Sequence, residues 1–189
     1  PVENKAESKL IRTNFHVAFE RIHSFEGFWV TAKGDYGKET YRGISRRFNK
    51  NWIGWSRIDA YKKENGPLKW NQQIPPADIW TTDFYVSLWV REGFDNIQDS
   101  TIAAYVFEFR IHGQKAVKII KQEISKEFPI LITNSLSNEE ILLLNRVNKE
   151  KFLNNLRKAR IKYYKDIVKR DKSQRPFLKH WLSRTSVNI

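Results

Sequence analysis

The sequence predicts a mainly α fold with one small β element. Apolar residues recur at helical spacing in several segments, and Gly and Pro separate these segments. Residues 29–45 instead carry three Gly and alternate polar with apolar side chains, which favours a small β-hairpin or an extended loop. No internal repeat or low-complexity tract is present. Together these observations indicate a helical fold with a short β segment in its first third.

The first predicted helix, residues 14–24, has one buried stripe, formed by Phe15, Ala18, Phe19 and Ile22. Glu26 follows on the same face, and Gly27 is a natural helix stop. A carboxyl group on the buried side of a helix end loses hydration, which raises its pKa and suits it to general acid catalysis. Helical phase alone is equally compatible with a surface Glu in an ordinary last turn.

The remaining elements are predicted from periodicity and capping signals. Residues 45–52 are expected to begin a helix, and further helices are expected over residues 78–90, 99–111 and 115–127, with breaks at Gly66-Pro67 and Pro75-Pro76. The pattern Ser137-x-x-Glu140 is a capping box that begins a short helix. Asn148 caps the next helix, whose predicted core stripe is Phe152, Leu156, Ala159, Tyr163 and Ile167.

Composition excludes several classes of protein. The chain has 189 residues, 40% of them hydrophobic, which is enough for a sizeable core. No apolar run approaches the roughly 20 residues that span a bilayer. Without Cys there is no disulfide or thiolate chemistry, and four scattered His predict no metal site. There is no Gly-rich phosphate loop or G-x-S-x-G motif, so no cofactor is expected.

Positive charge is concentrated near the C-terminus. Residues 146–184 hold 14 Lys and Arg but only three Asp and Glu, which gives +11 of the total net charge of +13. A solvated helix surface accounts for many of these charges, but such an excess also attracts polyanions. Charge alone does not distinguish an anionic cell-wall polymer from nucleic acid.

The segment that begins at Glu26 reads E-G-F-W-x5-D-x-G-x-E-T-x-x-G-I-S. It resembles the opening motif of the glycoside hydrolase family 108 muramidases, roughly E-G-G-(Y/F)-x5-D-x-G-G-x-T-x-x-G-(I/V)-(T/S). The match runs without a gap from Glu26 through Asp35 and Thr40 to Ser45. Phe28 replaces the second Gly of the motif, and Lys38 replaces the Gly before x-T. The resemblance implies a lysozyme-like helical fold, with the small hairpin or loop directly after the catalytic helix.

Downstream segments resemble the same family with weaker motifs. They are Phe84-Tyr85-x3-Trp89, Ile97-x-Asp99 with the helix 103–109, and the closing segment 177–184, which is similar to F-L-x-G-W-x-x-R. The D-G-x-x-G-x-x-T signature of the family's C-terminal peptidoglycan-binding region is absent, and residues 134–141 occupy its place. We therefore expect a catalytic region over residues 1–112 and a basic peptidoglycan-binding-like region over 113–189, packed together as one compact unit.

The resemblance implies a division of catalytic roles. Cleavage of a glycosidic bond requires a proton donor and a second group that stabilises charge or activates water. Glu26 is the expected donor, Asp35 the expected second group, and Thr40 the residue that holds the water. Asp35 could equally be a turn residue and Thr40 an ordinary strand residue. Sugar contacts are expected from Tyr41, His112 and Trp89, although a Trp is more often part of a core.

The predicted function is that of a secreted or periplasmic peptidoglycan hydrolase that acts at the bacterial cell wall as an N-acetylmuramidase. Its expected partners are peptidoglycan and anionic wall polymers, and we do not expect nucleic acid. One alternative is a catalytically inactive wall-binding or secretion-associated protein. The other is a basic helical module that binds nucleic acid.

Overall fold

The computed structural model describes residues 3–31 and 39–186, and the side chains within these ranges from residue 14 onward. The described chain contains α-helices and one small sheet. The helices are α1 (Glu3–Phe25), α2 (Gly54–Asn65), α3 (Pro75–Arg91), α4 (Ser100–His112), α5 (Ala116–Ile124), α6 (Asn138–Leu143), α7 (Lys149–Arg170) and α8 (Leu178–Ser183). The predicted mainly α fold with a minor β element is confirmed.

The sheet lies where residues 29–45 predicted it. Three antiparallel strands, β1 (Trp29–Thr31), β2 (Glu39–Tyr41) and β3 (Ile44–Ser45), are paired in chain order. Tyr41 lies opposite Trp29 and Ile44, whereas Thr40 lies opposite Val30 and Ser45. Because side chains alternate along a strand, buried Tyr41 and half-buried Thr40 project from opposite faces.

The prediction that residues 45–52 begin a helix was wrong. The chain instead turns there, since the N–H of Asn49 donates to Ser45 O and the N–H of Trp52 donates to Asn49 O. The indole Nε1–H of Trp55 also donates to Asn49 O, at 2.8 Å, which closes the turn from the other side. The helix begins only at Gly54, where any Cβ would lie 2.2 Å from the ring of Trp52.

The helices predicted from residues 78, 99 and 115 begin within three residues of these positions, and α3 includes the Pro pair that was predicted to precede it. Asp99 caps α4 and Asn148 caps α7, each by accepting a backbone N–H bond through its side chain. Ser137 and Glu140 form both hydrogen bonds of the capping box that begins α6. The Pro pair lies in the first turn of α3, where the missing N–H costs no helical bond.

The chain forms two compact units. One comprises residues 19–90, and the other joins the residues up to Ala18 with those from Arg91 onward. Six of the seven Trp residues belong to the unit of residues 19–90, and only Trp181 belongs to the other. The functional division at residue 112 that the sequence predicted stays a prediction. No helix in the described part of the chain is long and apolar enough to cross a membrane.

The core stripe predicted for α7 was wrong beyond Leu156. Arg160 and Tyr164 are buried there, whereas Ala159, Tyr163 and Ile167 are partly exposed. The reason is a partner on α4. Arg160 donates two hydrogen bonds to the carboxylate of Glu108, at 2.6 and 2.9 Å, and both residues are fully buried.

This buried ion pair belongs to a larger network. Arg184 donates to Glu108 at 3.3 Å, and Nδ1 of His112 lies 3.4 Å from the same carboxylate. The Arg160 Nε–H also donates to the hydroxyl of Tyr164 at 2.9 Å. Burial raises the pKa of Glu108, but the charge of Arg160 and the hydrogen bond from His112 outweigh this effect and lower it overall. Glu108 is therefore ionised, and the network holds α4, α7 and the segment after α8 in one core.

Candidate active site

Glu26 is the first residue after the catalytic helix predicted from the sequence. Its N–H makes the last helical bond of α1, to Ile22 O at 3.1 Å, and its side chain is half-buried. The side chain lies against the turn between β2 and β3, because a Cβ built on Gly43 would be 2.9 Å from the Glu26 Cγ. The first and last parts of the sequence motif therefore meet at this carboxyl group.

The turn at Gly43 requires glycine for two reasons. Its φ of +81° lies in the left-handed region, and any side chain would also collide with Glu26 and with the hydroxyl of Tyr85. The preceding residue, Arg42, also has a positive φ, of +49°. The Tyr85 hydroxyl donates to Arg42 O at 2.8 Å, so a helix of the same unit fixes this strained turn.

Asn71 holds the chain immediately after Glu26. Its side-chain Oδ1 accepts the N–H of Phe28 at 2.8 Å, and its own N–H donates to Trp29 O at 2.8 Å. A Cβ at Gly27 would lie 2.6 Å from this Oδ1, which explains a glycine there. Asn71 thus positions the residues that follow the carboxyl group, and sequence reasoning did not identify it.

Asp78 is a second carboxylate in this unit that the sequence did not reveal. It accepts hydrogen bonds from the Tyr41 hydroxyl and from Gln73 Nε2, both at 2.6 Å, and lies 3.7 Å from Arg42 Nε. The Arg42 guanidinium also stacks on the Phe28 ring, with its Cζ 3.7 Å from the ring centroid. Phe28, which replaces the motif glycine, therefore helps to hold the cation beside Asp78.

His23 lies one turn before Glu26, and the charges of this cluster affect its pKa. Burial, followed by the positive charge of Arg42, lowers its pKa to about 4, although Asp78 and Glu26 act in the opposite direction. Its ring packs on Phe19, with the centroids 4.0 Å apart. His23 is therefore a neutral imidazole at neutral pH.

The structure places the residues predicted from the sequence in different settings. Glu26, Thr40, Tyr41 and Trp89 belong to the unit of residues 19–90, whereas Asp35 lies outside the described residues and His112 belongs to the other unit. Thr40 is on the face of the sheet opposite Tyr41, beside Val30 and Ser45.

The three predicted sugar contacts have structural partners. Tyr41 is 0% exposed and Trp89 is 1% exposed, so neither offers a ring face to solvent in this structure. Burial and the hydrogen bond to Asp78 raise the pKa of the Tyr41 hydroxyl, so it remains protonated. His112 bonds Glu108 O through Nδ1 at 2.9 Å. Tyr41 therefore supports the site from within the core through its bond to Asp78, and Trp89 is a core residue.

Trp70 is an exposed ring near the site that the sequence analysis missed. It is 65% exposed and precedes Asn71, whose φ is +58°. A turn bond from the N–H of Gln72 to Lys69 O closes this segment, and Asn71 ties it to Phe28 and Trp29. A rigid turn thus presents an indole to solvent beside the chain that leaves Glu26.

Among the described residues, no group of three or more His, Asp or Glu is arranged to hold a metal ion. The chemistry that these residues offer is that of a carboxyl group at a helix end, packed against a strained turn. Such an arrangement suits proton donation to an oxygen leaving group.

Comparisons with known proteins identify the family. A family model described as Glycosyl hydrolase 108 matches residues 19–113, which is just over half of the chain. The chain belongs to glycosyl hydrolase family 108. The match contains Glu26, Asn71, Asp78 and the Gly43 turn, and membership supports glycoside hydrolase activity.

A solved structure from Brucella abortus, that of SagA, shares the fold of this family 108 protein. The two are 18% identical, the alignment covers 92% of this chain and 94% of that chain, and the TM-score is 0.57. This likeness supports the mainly α, lysozyme-like fold that the sequence predicted. A comparison with curated proteins gave no match.

Proposed function

We propose that this family 108 protein is a peptidoglycan hydrolase of the N-acetylmuramidase type, in which Glu26 donates a proton to the leaving glycosidic oxygen. The observation that carries the proposal is the packing of the Glu26 side chain against the Gly43 turn. The helix end and the turn are the two ends of the family motif, and the carboxyl group that would donate the proton lies between them. As a wall hydrolase, the protein would act in the periplasm or outside the cell.

The second catalytic role is assigned to Asp35, with Thr40 holding the water that it activates. Asp78 is less suited to this role, because Tyr41 and Gln73 already occupy both of its oxygens. We assign Asp78 to positioning, since it fixes Tyr41 beneath the sheet and faces Arg42. The distinction is testable because a water-activating carboxylate affects turnover directly, whereas a positioning carboxylate also affects folding.

Trp70 is assigned as a stacking surface for a sugar ring of the glycan strand. An indole offers a large rigid apolar face with a polar N–H at its edge, and 65% of Trp70 is open to solvent. The turn around Asn71 keeps this face next to the chain that leaves Glu26. Trp70 takes the role that the sequence analysis gave to Tyr41.

The proposal is tested by incubating the purified protein with peptidoglycan and identifying the new reducing ends. A muramidase releases N-acetylmuramic acid ends, and Glu26→Gln should lower kcat by about 10² or more. Glu20→Gln is the matched control, because Glu20 is an exposed residue of the same helix. Release of N-acetylglucosamine ends would make the protein a glucosaminidase, and wall binding without turnover would make it an inactive binding protein.

A second pair of variants tests the role of each carboxylate. Asp35→Asn should lower kcat and leave the free energy of unfolding unchanged, whereas Asp78→Asn should lower that free energy by about 1–3 kcal/mol. An unaltered kcat in Asp35→Asn would refute its assignment. Loss of turnover in Asp78→Asn without any loss of stability would transfer the water-activating role to Asp78.

A further inference from the structure

The helices α5 and α7 form a basic groove in the unit that contains the C-terminal half of the chain. The groove has a volume of about 680 Å³. Its lining includes four cations and one acid. These residues are Lys115, Lys162, Asp166, Lys169 and Arg170. Nothing in the proposed hydrolytic site requires this groove, which lies in the part of the chain that carries most of the net charge.

Few of these cations are neutralised within the protein. Lys162 pairs with Asp166 at 2.6 Å, and Arg170 Nε donates to the backbone oxygen of Asp166. Among the described residues, neither Lys115 nor Lys169 has an ion-pair partner, and both are exposed. The groove therefore has an excess of positive charge that is open to solvent, in contrast to Arg160 on the same helix, which is buried against Glu108.

The positive charge continues along α7 beyond the groove. Lys158 and Lys165 are exposed beside the lining residues, so cations recur from residue 158 to residue 169. At 1.5 Å per residue this strip is about 16 Å long. A strip of this length matches a linear polymer with closely repeated negative charges better than it matches a single small anion.

The rings in the groove argue against nucleic acid. Proteins that bind single-stranded nucleic acid stack bases on accessible aromatic side chains. The lining has one aromatic residue, Tyr163, whose ring packs near Phe109 and Tyr164, with centroids 6.1 and 5.4 Å away. Its hydroxyl is held by the backbones of Lys115 and Gln114. The groove thus offers a single, partly exposed ring beside its four cations, whereas bases stack in succession on several such rings.

We propose that this groove binds a linear polyol-phosphate polymer of the bacterial cell wall. Arg170 and the Lys side chains supply donors for phosphodiester oxygens, and each repeat of the polymer places one charge along the strip. The choice of a wall polymer rests on the proposed hydrolase function, whereas polymer binding is measured without any turnover. The groove would keep the enzyme on the wall between cleavage events.

The test compares two double variants of equal charge. Lys115→Gln with Lys169→Gln removes one groove cation from each side, and Lys118→Gln with Arg157→Gln removes one exposed cation each from α5 and α7 outside the groove. The probe is a synthetic poly(glycerol phosphate) of about ten repeats, and binding is followed by calorimetry at several salt concentrations. Circular dichroism verifies that both variants are folded.

We expect the affinity of the groove variant to fall about tenfold, while the control variant binds like the parent. The slope of log K against log salt concentration should also become shallower in the groove variant, by about 0.7 for each lost contact. Equal losses in both variants would overturn the proposal in favour of diffuse charge. Absence of binding in the parent would also overturn it, as would tighter binding of a base-containing oligonucleotide of equal length. Polymer binding by a parent that does not cleave peptidoglycan would support the groove and refute only the hydrolase function.

Discussion

Replacing Glu108 with Gln should destabilise the protein by about 3–5 kcal/mol, because the substitution leaves a buried guanidinium without its counter-charge. Arg160 is 0% exposed, and two of its hydrogen bonds end on the Glu108 carboxylate. A Gln amide retains one oxygen but no charge, and its NH₂ group faces the donors of Arg160. Arg184, also buried, would lose its bond to the same carboxylate.

Replacing the other partner of the ion pair, by Arg160→Met, should lower the free energy of unfolding by a smaller amount. Glu108 would retain Arg184 at 3.3 Å and His112 at 3.4 Å, so its charge stays compensated. In Glu108→Gln, by contrast, Arg160 retains neutral partners, which are the Gln oxygen, the Tyr164 hydroxyl and neighbouring aromatic rings, but no counter-charge. The order of the two losses therefore follows from the number of partners left to each charge.

Urea unfolding followed by far-UV circular dichroism measures these losses. In thermal unfolding, a loss of 1 kcal/mol lowers the Tm of a chain of this size by about 2–4 °C. Glu108→Gln should therefore lower Tm by roughly 6–20 °C. The control is Glu92→Gln, which breaks a partly exposed pair with Arg110 and should cost about 1 kcal/mol or less. A loss below 1 kcal/mol in Glu108→Gln, or a larger loss in Arg160→Met, would refute the reasoning.

The same variant should change the acid stability. The pKa of Glu108 is lowered in the folded protein. The ionised carboxylate therefore contributes fully to the free energy of unfolding at pH values above its ordinary pKa of 4.5, and this contribution is lost as the pH falls below 4.5. The unfolded chain takes up the proton at this position while the folded chain does not. Glu108→Gln should therefore show a flatter decline of the free energy of unfolding between about pH 5 and pH 2.

Four further predictions concern individual residues. Gly43→Ala should lower kcat at least tenfold and cost about 1–2 kcal/mol in urea unfolding, because a Cβ at a φ of +81° is strained and displaces Glu26. The imidazole of His23 should titrate near pH 4 by NMR. Between pH 4 and 6.5 the unfolded chain binds a proton at His23 and the folded chain does not, so the free energy of unfolding should rise with pH over this range. His23→Phe should remove this rise. Trp70→Ala should raise KM for peptidoglycan severalfold with unfolding unaltered within about 0.5 kcal/mol, and an unchanged KM would exclude the stacking role. Ser137→Ala should cost about 1 kcal/mol in urea unfolding by removal of the capping box, whereas a neutral result would show that α6 is fixed by packing alone.

Local signals predicted the parts of the fold that depend on neighbours in sequence. The caps at Ser137 and Asn148 act over three residues, so they are visible in the sequence and the structure confirms them. The motif glycine at position 43 also has a local cause, its positive φ, although its contact with Glu26 depends on the folded chain.

Long-range partners account for what the sequence did not reveal. Arg160 looks like a solvated cation, and only Glu108, 52 residues earlier, makes its burial favourable. Asn71 acts on Phe28 across 43 residues, so nothing in its own neighbourhood marks it as part of the site. Asp78 likewise gains its role from Tyr41, which lies 37 residues before it.

The uneven distribution of tryptophan has a practical consequence for spectroscopy. Six indoles belong to the unit of residues 19–90, including buried Trp52, Trp55 and Trp89, while the other unit has Trp181 alone. Intrinsic fluorescence thus reports mainly on the unit that contains Glu26, whereas far-UV dichroism reports on helices throughout the chain. Unfolding curves that coincide by the two signals would show that the units melt together, and curves that separate would show which unit melts first.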